Sequence, residues 1–116
     1  MANFFKGLLR ANTTIYGDLE GAMTKLKNGR LAIAIEKDKS KEEKCIAWIV
    51  GQKDIELSKG NVKKVEFVDH AVVNNISSDA GKSADVSIYR IEMTDGTTGT
   101  LRLKTSSEER VLRLIR

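Results

Sequence analysis

Few residues in this 116-residue chain have the chemistry of an active site, for His70 is its one histidine and Cys45 its one cysteine. Asp69 precedes His70, an order that brings to mind a carboxylate orienting an imidazole base. Successive residues of a strand point to opposite faces, however, so the two side chains are expected to diverge. His70 therefore reads as a surface or partly buried structural histidine. Cys45 opens an apolar run, where a thiol packs as a small hydrophobe rather than serving as a nucleophile. Zinc needs three or four ligands, and one Cys and one His with scattered carboxylates lack the paired spacing. Gly7, Gly17, Gly21 and Gly29 fall into neither G-x-x-x-x-G-K-S/T nor G-x-G-x-x-G, so no phosphate cradle is expected. The residues thus predict a non-catalytic protein with no catalytic, metal-binding or cofactor-binding residue and no cofactor.

Groups that could bind are charged or aromatic. Lys37, Lys39, Lys41 and Lys44 crowd one short segment, but Asp38, Glu42 and Glu43 offset them and leave an excess of one positive charge. Such a segment reads first as a solvated hairpin tip and second as a contact for anionic lipid. Arg90 and Arg102, with Lys104, fall on the last pair of strands as candidate partner contacts. The chain carries 20 basic and 16 acidic residues and only 5% aromatics, too mild an excess and too few stacking rings for nucleic acid. Phe4 and Phe5, with Leu8 and Leu9, share one side of a short N-terminal segment. That segment is expected to fold back onto the sheet or onto a second copy, and it lacks the order of a signal peptide. A single cysteine rules out an internal disulfide framework and suits the reducing cytoplasm.

The elements that position these groups are mainly strands. Tyr89, Ile91 and Met93 alternate along one segment and Leu101 and Leu103 along the next, with Asp95-Gly96 between. A two-residue turn would throw the two apolar sets onto opposite faces. A three-residue loop, Thr94-Asp95-Gly96, pairs Tyr89 with Leu101 and Ile91 with Gly99, and puts glycine where a left-handed backbone is needed. Ser106-Ser107-Glu108-Glu109 then reads as a capping box, with Ser106 as the cap and a helix over 107–116. Val111, Leu112 and Ile115 form its apolar side and should pack on Ile91 and Leu101.

Upstream, Leu31, Ile33 and Ile35 share a face, as do Ile46, Trp48 and Val50, and Ile55–Leu57 and Val62–Val68 read as shorter strands. Trp48 and Tyr89 are expected in the core. The stretch 74–85 is rich in Ser, Asn, Asp and Gly and reads as a loop. Residues 13–16 suit a strand, whereas 18–27 fit either a strand or a helix. Proline is absent, so turns fall to Asn28-Gly29, Gly60-Asn61 and Asp95-Gly96. The resulting division is an N-terminal segment, 1–29, packing on a domain over 30–116. The fold class is α+β, mainly antiparallel, with at least five strands closed by a C-terminal helix.

That order of elements, ending in Tyr89-Arg90-Ile91-Glu92-Met93, Leu101-Arg102-Leu103-Lys104 and the helix, resembles the pleckstrin-homology-like fold, including its bacterial and GRAM-type versions. The resemblance implies a bent sheet or roll whose open end the final helix closes. It also implies phosphoinositide binding through the loop between the first two strands, here 37–44, although the paired basic ligands at strand spacing are missing. The function expected is a small cytosolic interaction module that binds a protein or peptide partner or self-associates, through a sheet edge or the cleft beside the helix. The alternative is a peripheral membrane module touching anionic lipid through Lys37–Lys44 and the N-terminal segment.

Overall fold

The computed structural model describes residues 14–22, 29–37, 39–74 and 83–116. Seven strands form one antiparallel sheet: β1 (Gly17–Gly21), β2 (Arg30–Lys37), β3 (Glu43–Trp48), β4 (Ile55–Leu57), β5 (Val62–Asn74), β6 (Ser83–Met93) and β7 (Thr98–Lys104), followed by helix α1 (Glu108–Ile115). Their order across the sheet is β4-β3-β2-β1-β7-β6-β5. Two meanders, β1 to β4 and β5 to β7, thus join where β1 lies beside β7.

Alternation in the sequence becomes two faces in space. Leu19, Leu31, Ile33, Ile91, Leu101 and Leu103 point to one face, and Val111 and Ile115 of the helix bury themselves in the same cluster. Ala32, Ala34, Ile46, Trp48 and Val86 form a second buried cluster on the opposite face. With apolar residues at both parities, Leu31–Ala34 of β2 and Cys45–Trp48 of β3 are buried without interruption. Trp48 is buried, as its alternating strand required. Val50 falls in the turn after β3 and is 77% exposed, so the expected third member of the Ile46–Trp48 row does not join it.

The last hairpin has the expected register, with Tyr89 opposite Leu101 and Ile91 opposite Gly99. Gly96 has φ +90°, a conformation that a Cβ would strain. The Asp95 carboxylate locks the loop by accepting from the Thr97 amide at 2.9 Å and its hydroxyl at 2.6 Å. At the β4–β5 turn, Asn61 accepts from the Ser58 amide at 2.8 Å and donates to the Glu56 carbonyl at 2.6 Å.

The sheet begins ahead of Arg30, because 17–21 form a strand at its centre. Gly17 permits this, since a Cβ there would strike the Arg102 carbonyl of the neighbouring strand. Helix α1 also starts one residue later than expected: Ser107 is the N-cap and makes no side-chain capping bond. Of the two acids in the first turn, Glu108 accepts a hydrogen bond from the Tyr89 hydroxyl at 2.7 Å. Arg110 fixes the helix elsewhere, reaching Glu43 of β3 at 2.7 Å and the Tyr16 hydroxyl at 3.2 Å. Leu112 is only half-buried, while Val111 and Ile115 fill the core. Of the loop expected over 74–85, Asn74 belongs to β5 and Ser83–Asp85 to β6, while residues 75–82 lie outside the described residues.

Candidate functional site

β5 is the outer strand on one side of the sheet and, at 13 residues, its longest; the opposite edge, β4, has three. Backbone groups alternate in direction along a strand, which fixes those that β5 leaves unused. Met93 donates to Thr97 across the β6–β7 hairpin, so odd-numbered residues of β6 bond to β7 and even-numbered ones to β5. Their β5 partners are Lys64, Glu66, Asp69, Ala71 and Val73. The groups of Val65, Phe67, His70 and Val72 are therefore directed away from the sheet. Exposed apolar side chains lie along the same strand: Phe67 is 53% exposed, Val68 59% and Val72 70%. A long edge whose outward amides have no strand partner among the described residues, and which exposes apolar side chains, is a template for another strand.

Two irregularities interrupt the ladder, one between Val62 and Lys64 and one between Phe67 and Asp69. The second is a bulge at Val68, and it reverses which residues face the helix side: Val65 and Phe67 before it, His70 and Val72 after it. Just beyond the bulge, the Asp69 carboxylate accepts a hydrogen bond from the His70 amide at 2.8 Å. That bond occupies one outward donor, a device that blunts an edge locally. Asp69 and His70 do diverge as side chains, as expected.

On the helix side, Phe67 packs its ring 4.8 Å from His70 and 5.8 Å from Tyr89, the latter edge-on. Burial, followed by the hydrogen bond to Glu108, pushes the Tyr89 phenol up to about 12. His70 Nδ1 lies 3.2 Å from the Ser87 hydroxyl. These are the residue types of a nucleophile and its base, yet Ser87 is completely buried, so the contact ties β5 to β6 rather than presenting an oxygen to a substrate. Beside this cluster lies a groove of about 410 Å³ lined by His70, Val72, Asp85, Thr105 and their neighbours. Cys45 is fully enclosed in the core, and burial raises its thiol to about 12, which removes thiolate at neutral pH. Among the described residues no group of His, Cys, Asp and Glu could hold a metal ion.

The residues singled out from sequence do not converge. Phe4 and Phe5 lie outside the described residues. Lys37, Lys39, Lys41 and Lys44 are exposed around the β2–β3 turn, with Lys41 at φ +66°, while Asp38 lies outside the described residues. Lys44 approaches Glu56 at 3.9 Å, and Arg110 holds the Glu43 carboxyl below its ordinary range. Acidic and basic groups therefore share that end of the sheet.

Arg90 is exposed on the opposite face and borders a shallow depression of about 160 Å³ with Lys64, Glu66 and Glu92. Arg102 is engaged within the sheet, where its Nε donates to Asp18 at 2.7 Å and its Nη2 to the second carboxylate oxygen of the same residue. Asp18 is only 1% exposed, so Arg102 neutralises a buried charge and is not offered to a partner.

Sequence reasoning missed the second half of β5. The bulge at Val68 shifts the alternation by one residue, so Asp69-His70 looks like the end of a strand. Ala71-Val72-Val73 carried the signal that it continues. Among the described residues no helix is long and apolar enough to cross a membrane. No family model, no curated protein and no solved structure matches the chain significantly.

Proposed function

We propose that this chain is a non-catalytic interaction module in which β5 accepts an additional strand from a protein or peptide partner or from another copy. Strand addition at a sheet edge draws affinity from main-chain hydrogen bonds and selectivity from alternate side chains. The observation that carries the reading is the coincidence, on one 13-residue edge strand, of outward backbone groups with exposed Phe67, Val68 and Val72. The pleckstrin-homology-like reading belongs here too. It is supported by seven antiparallel strands with a following helix packed into the core of one face, and a fold of this kind does not by itself supply function.

Val65→Pro tests the proposal. It removes an outward amide that the β5–β6 ladder does not use, so the fold is expected to survive. Proteins retained on the immobilised wild-type chain should be lost from Val65→Pro, and equal retention would contradict strand addition. The alternative, contact with anionic lipid through Lys37, Lys39, Lys41 and Lys44, makes a separate forecast: co-sedimentation with anionic vesicles at low salt that Val65→Pro leaves unchanged.

A further inference from the structure

The identity of the added strand can be argued from the charges of β5, an inference that rests on the edge reading above. We infer that the occupant is a second copy of this chain, its β5 pairing antiparallel with the first about a two-fold axis at Val65. Lys64–Phe67 is the regular stretch between the two irregularities, and the backbone of Val65 is directed outward within it. A two-fold axis at Val65 sets Val65 opposite its own copy as a hydrogen-bonded pair. It also sets Lys64 of each chain opposite Glu66 of the other, at non-hydrogen-bonded positions where cross-strand side chains come closest.

Within one chain Lys64 Nζ already lies 2.5 Å from Glu66, so two copies close a ring of four alternating charges. The adjacent registers are penalised. An axis one residue earlier opposes Lys64 to Lys64, and one residue later opposes Glu66 to Glu66. The far half of the strand is less suitable because Asp69 occupies the His70 amide. Two-fold pairing of this kind is self-limiting, since it consumes the edge in both copies.

Sedimentation equilibrium of the full chain, of Lys64→Glu, of Glu66→Lys and of their equimolar mixture tests this register. Both side chains are more than half exposed, so the folds should persist, and circular dichroism melts check that they do. The wild type should dimerise, and each single variant should self-associate at least about tenfold more weakly, because two attractive pairs become two repulsive ones. The mixture should recover wild-type affinity, because the two acids of one variant then face the two lysines of the other, although neither variant keeps its internal ion pair between positions 64 and 66. Unchanged dimerisation of both variants, or no recovery on mixing, would overturn the register. A wild type that stays monomeric at millimolar concentration overturns the second copy as occupant. In that case, rapid exchange of the Val65 and Phe67 amides leaves the edge reading standing, whereas protected amides overturn both.

Discussion

Tyr89 is where edge, sheet and helix meet: its ring touches Phe67 of the edge strand and its hydroxyl bonds Glu108 of the helix. Folding favours the protonated phenol, so its pKa rises from 10.0 to about 12. The sign follows from linkage: the stabilisation is complete below pH 10 and is lost as pH rises through about 12. Ultraviolet absorbance titration of the folded protein against Tyr89→Phe should show this phenol ionising near pH 12, and ionisation at the ordinary tyrosine value would refute the contact.

Arg102 supplies a second residue-scale test. Breaking a buried ion pair strands its partner, so Arg102→Met should lower stability by about 3–5 kcal/mol in urea titrations. Much of that loss should return when Asp18 is also made apolar, because no buried charge then remains. A cost within about 0.5 kcal/mol for the single change would place the guanidinium in solvent. Sequence alone offered no route to this pair, which lies 84 residues apart along the chain and exists only because β1 runs beside β7.

At the scale of elements, local pattern determined most of what was legible. The three-residue loop followed from the demand that Tyr89, Ile91, Leu101 and Leu103 share a face, and the register agrees. Ile55–Leu57 was readable for the same reason. The strand at 17–21 was ambiguous because Leu19 fits helical spacing as well as alternation, and the decision rests with Leu31 and Leu101, which flank it in the sheet.

The helix shows the same limit of local evidence. Its apolar side was evident, but the half-burial of Leu112 depends on how the helix lies on the sheet. The sensitive residue is therefore Ile115. Ile115→Ala should destabilise the protein by about 2–5 kcal/mol, through lost transfer energy and the cavity left behind. Arg113→Ala, on the exposed side, should cost no more than about 0.5 kcal/mol. Equal shifts of the unfolding midpoint would mean that the helix does not dock.

For the whole molecule, the two edges are treated differently. β4 is short and ends the sheet abruptly, whereas β5 extends for 13 residues with Phe67 and Val72 in solvent. Edges of this kind are usually shortened, charged or covered. Here the bulge and the Asp69 bond interrupt the edge once and leave Lys64–Phe67 open on one side and Val72 on the other. The fold was largely legible because burial repeats with the strand period. The candidate surface was not, because an edge is defined by the absence of a neighbour, which no local pattern records.

Amide hydrogen exchange of the dilute, monomeric protein tests that surface most directly. Glu66 and Ala71, bonded into β6, should exchange slowly, with protection approaching that of global unfolding, while Phe67 and Val72 should exchange at nearly the rate of unstructured amides. Equal, strong protection of both pairs would contradict strand addition at β5, because it would mean that β5 is not an edge in solution.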